Sequence, residues 1–220
     1  MISILLPIYN GIEFIDESVQ SVINQTYTEW ELLIGINGHF KNSEVYLKAK
    51  KFQDIDNRIK VYDFYNIKGK VDTLYELIKY SKYNWISLID VDDIWLKNKL
   101  KKQIKYMDEY DIIGTNTHYF GELDNVPKIP YYDISKINFI NCNPIINSSV
   151  LLKKELCSWD KTYESVEDYE LWLRLKKQEK KFYNLPDILV RHRIHKESCF
   201  NSQSQKIQER KIIDLRNIYL

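Results

Sequence analysis

Three clusters in this 220-residue chain hold the residue types that do chemistry. Asp90-Val91-Asp92, with Asp93 after it, ends one apolar run. Glu167-Asp168 stands ahead of Tyr169, Leu171, Trp172, Leu173 and Leu175, and Arg191, His192, Arg193 and His195 end a second apolar run. Asp90 and Asp92 are one residue apart, a spacing that in an extended segment sends both side chains to the same side while Val91 points away. Two carboxylates held together need a compensating cation. All-oxygen ligation favours a hard divalent ion, Mg2+ or Mn2+, which keeps waters and binds substrate phosphates, so a diphosphate is the natural substrate of such a site. The competing reading is that Asp92 or Asp93 caps a following helix through backbone N–H groups and Asp90 merely ends a strand. For Asp93, capping is the expectation.

Glu167 and Asp168 fall where a helix opens, and acidic side chains there are stabilised by the positive end of the dipole whether or not they do anything else. Strand alternation puts Arg191, Arg193 and His195 on one face, suited to phosphate or metal, with His192 opposite. A solvated edge strand explains the same residues without a site.

The elements that must position these clusters follow from apolar spacing. Ile2–Ile8 is apolar apart from Ser3 and suits a strand buried on both faces of a parallel sheet. Ile15, Val19, Val22 and Ile23 fall at helical spacing, and residues 31–36 form a second strand. A helix is expected near 43–52, a strand near 59–62, a helix over 71–81 and a strand over 85–89. Leu96, Leu100, Ile104 and Met107 then predict a long helix after Asp93, leading to a short strand at 112–113. Alternating β and α predicts a doubly wound, mainly parallel sheet flanked by helices, whose ligands sit outside the carboxyl ends of its strands. Tyr9-Asn10, Asn37-Gly38 and Asp90-Asp92 should therefore share one mouth.

Residues 116–146, interrupted by Pro127, Pro130 and Pro144, are expected to be loops and short pieces. A strand at 148–152, a helix at 166–178, a strand at 188–193 and a terminal helix follow. That helix carries Ile207, Ile212, Leu215 and Ile218 on one side, which should pack on the domain rather than in a dimer or on a membrane. Trp95, Trp159 and Trp172 are of the kind that stack on carbohydrate, but core packing is the expectation for them.

Composition narrows the function classes. A net charge of +1, from 32 basic against 31 acidic residues, disfavours a nucleic-acid partner. No run approaches the ~20 apolar residues of a membrane span. Met1 leads into Ile2–Ile8 without a signal peptide's basic start, so a cytoplasmic or cytosol-facing protein is expected. Cys142, Cys157 and Cys199, separated by 15 and 42 residues, fit neither a disulfide framework nor a zinc site and point to a reducing compartment.

The runs ISILLPIYNG, SVINQTYTEWELLIGINGH, ISLIDVDDIWLKNKLKKQI, SVEDYELWLRL and LVRHRIH, in this order over residues 2–195, resemble a family 2 glycosyltransferase of the GT-A fold. The resemblance implies one Rossmann-like α/β domain over 1–220. Residues 1–115 would be the nucleotide-sugar-binding half, 116–200 the acceptor-side and catalytic-base half, and 201–220 a C-terminal helix. It further implies that Pro7, Tyr9 and Asn10 line the nucleotide pocket, that Asp90 approaches the ribose, and that Asp92 binds a Mn2+ or Mg2+ ion with Asp90 and His195 beside it. Asp168 matches the general base, with Glu167 as its neighbour in the catalytic pair, and Arg193 falls on the donor side. Relatives often carry two aspartates and Gly-Ser after the second strand, where this chain has Ile36, Asn37, Gly38 and His39. Asn37 keeps the capacity for base contacts or serves as a turn residue, and Lys70, after Gly69, either meets phosphate or is solvated.

The expected function is metal-dependent, inverting transfer of a sugar from a nucleotide-diphosphate donor, a UDP-sugar by preference, to a hydroxyl of a glycan, lipid or protein. A non-catalytic nucleotide-sugar-binding module is the alternative that Ile36 motivates. A sugar-phosphate nucleotidyltransferase is a third reading, disfavoured because no Gly-rich phosphate loop follows the first strand.

Overall fold

The computed structural model describes residues 1–196 and 205–220, so Cys199 lies outside the described residues. Four parallel strands, β1 (Ile2–Ile8), β2 (Trp30–Asn37), β3 (Ile59–Phe64) and β4 (Trp85–Leu88), stand in the order β3-β2-β1-β4. β1 and β2 are buried almost throughout, which is why they read as unbroken apolar runs. The crossovers are α1 (Ile15–Ile23), the pair α2 (Glu44–Lys50) and α3 (Phe52–Ile55), and α4 (Lys70–Tyr80). The chain steps outward from β1 to β3, then α4 returns it to β4 on the other side of β1. The carboxyl ends of β1 and β4 therefore flank the topological switch point, where ligands bind in such sheets.

After β4 come β5 (Ile94–Trp95), α5 (Lys99–Gln103), β6 (Ile112–Gly121) and β7 (Tyr132–Asp133), then β8 (Leu151–Lys153), α6 (Glu167–Lys177), β9 (Phe182–Ile194) and α7 (Gln205–Tyr219). β8 joins β4 antiparallel, β6 joins β8 antiparallel, β9 runs parallel to β6, and β5 and β7 pair antiparallel with β9. One mixed sheet thus runs through both halves of the chain. Strand alternation feeds two cores. Ile4, Leu6 and Ile8 meet Ile15, Val19 and Val22 of α1 on one face; Leu5 and Leu33 share the other with Val71 and Leu74 of α4, Trp172 of α6 and Leu215 of α7.

Four expectations need correction. The long helix after Asp93 is only α5 followed by a 3-10 turn, because Ile94 and Trp95 pair with Arg191 and Val190, and the Leu96 N–H goes to the Leu189 carbonyl at 2.9 Å. The strand expected at 112–113 continues to Gly121 along β9, through an irregularity at Asn116 whose side-chain amide donates to the Pro186 carbonyl at 3.4 Å. Pro186 is tolerated inside β9 because the ladder is already broken there. Of the four apolar residues on α7, Leu215 is buried and Ile212 half-buried, whereas Ile207 and Ile218 are exposed. Residues 147–149 form a 3-10 turn, so β8 starts later than the expected 148. Trp95, Trp159 and Trp172 lie in the core, and no helix among the described residues is long and apolar enough to cross a membrane.

Lys99 is fully buried, its ammonium over the Trp95 ring at 3.8 Å and donating only to neutral oxygens, Ser87 Oγ at 3.1 Å and Gln103 Oε1 at 2.9 Å. Burial therefore pushes its pKa well below the usual lysine range. Between that lowered value and the ordinary one the unfolded chain binds the extra proton, so this residue's contribution makes stability rise with pH. The expected outcome is that the wild type gains urea-unfolding stability relative to Lys99→Met as pH climbs from neutral toward 10. A pH-independent difference would show that Lys99 keeps an ordinary pKa.

Candidate active site

Strand β4 ends at Leu88, and residues 90–93 form a turn, closed by the Asp93 N–H on the Asp90 carbonyl at 3.1 Å, rather than an extended segment. The turn sends its three carboxylates to three different partners. Asp90 receives the Lys70 ammonium at 2.9 Å, the Asn147 amide at 3.0 and 3.2 Å and the Ser148 hydroxyl at 3.3 Å. The same ammonium lies 3.2 Å from Glu167 Oε1, so Lys70 joins the first two clusters. Burial works against the charge on Lys70, but Asp90 and Glu167 outweigh it and hold its pKa well above the usual lysine range. Burial likewise raises the pKa of Asp90, and Lys70 reverses this and leaves it below the usual carboxylate range.

Lys70 is placed by the start of α4. Gly69 has φ of +97°, and a Cβ there would lie 2.6 Å from the Glu164 carboxylate, which accepts the backbone N–H groups of Lys70 and Val71. Asn37 is 1% exposed, and with its amide turned to suit both neighbours it donates to the Ile8 carbonyl at 3.0 Å and accepts the Gly69 N–H at 3.2 Å. It thus ties the ends of β1 and β2 to the loop that carries Lys70. Ile36 is fully buried. Pro7 is half-buried within β1, whereas Tyr9 and Asn10 are exposed at its end. The Tyr9 ring lies over Gly38, where a Cβ would come within 2.6 Å of it, and beside His39, whose Nε2 meets the Tyr9 carbonyl at 2.6 Å.

Asp168 opens α6 beside Glu167. Its Oδ1 accepts the Tyr169 N–H at 2.8 Å and its Oδ2 the Asn143 side-chain amide at 2.9 Å. Burial and the neighbouring Glu167 push its pKa up to about 6, against the opposite pull of Lys70 and Asn143. Glu167 is 4% exposed, and its Oε2 has no partner among the described residues.

The third cluster clasps the first. His195 Nε2 lies 3.0 Å from Asp92 Oδ2, and His192 Nδ1 lies 2.9 Å from Asp93 Oδ2. Asp93 is fully buried, accepts the Arg193 N–H at 2.9 Å, and caps no helix, since α5 begins only at Lys99. That corrects the capping expectation. Burial disfavours the His192 imidazolium, but Asp93 outweighs it and raises the pKa to about 9. Burial, then Asp93 and Asp90, push Asp92 up to about 6. Arg193, expected to face phosphate, has its guanidinium engaged by the Asp92 carbonyl and by Glu17, both at 3.0 Å, and stacked on Phe14 and Phe120. On the side of β9 away from β6, Arg191 pairs with Ile94 of β5 and the Arg193 N–H goes to Asp93, so this edge is not an open one at these residues.

Among the described residues no three His, Cys, Asp or Glu side chains converge as a metal cage. Asp92 and His195 supply one oxygen and one nitrogen, a set that fits a divalent ion completing its shell with substrate phosphate and water. The residues that the sequence reading missed are Asn143, Asn147, Ser148 and Glu164. Asn143 and Asn147 flank Pro144 and Ile145 in a stretch that reads as an ordinary loop, and no local pattern marks Glu164 as the partner of a helix 93 residues away.

The model of glycosyl transferase family 2 matches residues 3–213. The O-antigen biosynthesis glycosyltransferase WbnJ of Escherichia coli is 30% identical over 92% of this chain and 83% of its own length. The UDP-Glc:alpha-D-GlcNAc-diphosphoundecaprenol beta-1,3-glucosyltransferase WfgD, also of Escherichia coli, is 31% identical over 80% of this chain and 70% of its own. Among solved structures, S. aureus TarS 1-349 in complex with UDP-GlcNAc superposes with a TM-score of 0.78 at 16% identity, covering 99% of this chain and 66% of that one. The mannosyltransferase PcManGT from Pyrobaculum calidifontis, in complex with GDP-Man and Mn2+, gives 0.72 at 11% identity, covering 98% and 62%. This chain spans less than two-thirds of the length of either solved relative. With the family's sequence pattern and the GT-A fold both running nearly end to end, the chain belongs to glycosyl transferase family 2 and is a glycosyltransferase.

Proposed function

We propose that this chain transfers a sugar, with inversion, from a nucleotide-diphosphate donor to a hydroxyl of a glycan, lipid or protein acceptor, and that Asp168 takes the acceptor proton. The observation that carries this reading is the Asp168 carboxylate itself. Its pKa of about 6 leaves it ionised at neutral pH yet more basic than an ordinary aspartate, and two hydrogen bonds fix its direction. A UDP-sugar is the favoured donor. WfgD is named for UDP-Glc and TarS binds UDP-GlcNAc, although PcManGT binds GDP-Man.

The other clusters divide the remaining work. Lys70 presents a fixed positive charge at the switch point, where it neutralises Asp90 and Glu167 and stands ready for a donor phosphate. Asp90 holds Lys70 in place and keeps the ribose-side role that its position in the motif implies. Asp92 and His195 would hold Mn2+ or Mg2+, which when bound stabilises charge on the departing diphosphate. Tyr9 and Asn10 are exposed at the end of β1, where a nucleotide would lie. Glu167 keeps Lys70 near Asp168, and Arg193 secures the 92–93 turn beside Glu17.

The proton assignment has a direct test. Asp168→Asn should melt and bind UDP as the wild type does, yet lose on the order of 10²–10⁴ in transfer rate, the usual worth of a general base. Because the base must be ionised, the wild-type rate should rise with pH and level off above about 6. Wild-type turnover by Asp168→Asn, or a defect that follows lost folding alone, would remove the assignment.

The cation is tested by chelation. UDP release from a UDP-sugar should fall to background in excess EDTA and return with Mn2+ or Mg2+, and Asp92→Asn should weaken Mn2+-supported UDP binding by calorimetry. Full turnover in chelator would reject the ion.

A further inference from the structure

Between β7 and β8 the chain crosses the active-site mouth, and the stretch 143–148 touches both acidic centres. Asn143 donates to Asp168 Oδ2 at 2.9 Å; four residues later the Asn147 amide donates to both oxygens of Asp90 at 3.0 and 3.2 Å. Ser148 adds a second tie, its hydroxyl accepting the Asp90 N–H at 2.9 Å. The direction of the Asn143 amide is not arbitrary. Its Oδ1 accepts the Ile145 N–H at 3.4 Å, so Nδ2 is the atom that faces the carboxylate.

The stretch is itself fastened from both cores. Trp172 of α6 donates its indole N–H to the Ile145 carbonyl at 3.2 Å, and Trp95 of β5 donates to the Ser148 carbonyl at 2.7 Å. Both indoles are buried, and Asn184 of β9 holds the Pro144 carbonyl at 2.9 Å. A backbone pinned at residues 144, 145 and 148 between two carboxylates transmits position, since neither end can shift without breaking a buried hydrogen bond.

We propose that residues 143–148 form a strut that sets the base against the donor site, with Asn143 the positioning residue for Asp168 and Asn147 the positioning residue for Asp90. This inference rests on Asp168 being the base. Reaction at an anomeric carbon needs nucleophile and leaving group in line, so the separation of the group that deprotonates the acceptor from the group on the donor side matters as much as either alone. A neutral amide suits the task. It orients one oxygen through a single N–H and favours the ionised carboxylate only mildly, whereas an arginine there would strip Asp168 of its basicity. The charged groups facing Asp168 are Glu167 on its own helix, which raises its pKa, and Lys70 from α4, which lowers it.

The experiment is the pH dependence of kcat at saturating donor, with UDP-glucose or UDP-GlcNAc as the probe, whichever the wild type turns over. Released UDP is the readout, and each variant is checked by a melting curve and by UDP affinity in the presence of Mn2+. Asn143→Ala should lose about tenfold in kcat and shift the acid limb upward by about one pH unit, with UDP affinity unchanged. Asn143→Asp places a second carboxylate at the same point and should shift the limb further. Asn147→Ala should weaken UDP binding and leave the limb in place. If Asn143→Ala does not fold, Asn143→Ser, with a shorter donor, should show the same direction of shift. An unmoved limb in the folded Asn143 variants, or a loss of UDP affinity in Asn143→Ala equal to that in Asn147→Ala, overturns the strut. Asp168→Asn run alongside separates the two ideas. If it is inactive while the Asn143 variants behave as wild type, the strut alone falls; if it turns over normally, the base assignment falls and the strut with it.

Discussion

One ammonium shared by two carboxylates holds this site together. Asp90 follows β4 and Glu167 opens α6, so their side chains come from opposite halves of the chain, and Lys70 lies 2.9 and 3.2 Å from them. Two partly or fully buried carboxylates without that charge would be strongly disfavoured. The position of the ammonium is in turn fixed by its backbone. Glu164 takes the N–H groups that open α4, and Asn37 joins the preceding glycine to the end of β1. Strand ends, a helix start and a distant loop therefore converge on a single charge at the switch point of the sheet.

The second constraint is the clasp between the turn after β4 and the end of β9. His192 with Asp93, His195 with Asp92, and the Arg193 guanidinium on the Asp92 carbonyl make this a continuous polar seam. It explains why no helix starts at Asp93. The carboxylate that would serve as a cap already accepts the Arg193 N–H, and the following residues are drawn into β5 along the same strand. A local helix signal loses to a non-local ladder because the ladder also satisfies a buried carboxylate.

That contest marks the boundary of what the sequence discloses. β1 to β4 are legible because a strand covered on both faces must be apolar throughout. The second half of β6 is not: Thr115, Asn116 and Thr117 are polar residues whose strand character comes from β9, itself interrupted by Pro186. The 3.6-residue spacing of Leu96, Leu100, Ile104 and Met107 is real, yet the Leu96 N–H is taken by Leu189 and Leu96 is 37% exposed. At the site, the acidic clusters stand out by residue type and by resemblance, although a turn replaces the extended, same-side arrangement expected of Asp90 and Asp92. Their neutral supports do not, because Asn143 and Asn147 owe their meaning to carboxylates 25 and 57 residues away.

The carboxylates also sort themselves by how they are matched. Asp90 has Lys70, which leaves its pKa below the ordinary range, and Asp93 has His192, which is protonated at neutral pH with a pKa of about 9. These charges are satisfied within the fold and serve to hold it. Among the described residues Asp92 and Asp168 have no lysine or arginine in salt-bridge contact, Asp92 meeting only the His195 imidazole, and each is raised to about 6 by burial and by neighbouring carboxylates. An acid left undercompensated in this way attracts either a cation or a proton. The residue beside His195 is the one whose surroundings suit a cation, and the residue held by Asn143 is the one whose surroundings suit a proton in transit. Fixed charges fill the places between them, so the protein holds two unmet demands apart, which in the proposed reaction a metal–diphosphate and an acceptor hydroxyl would meet.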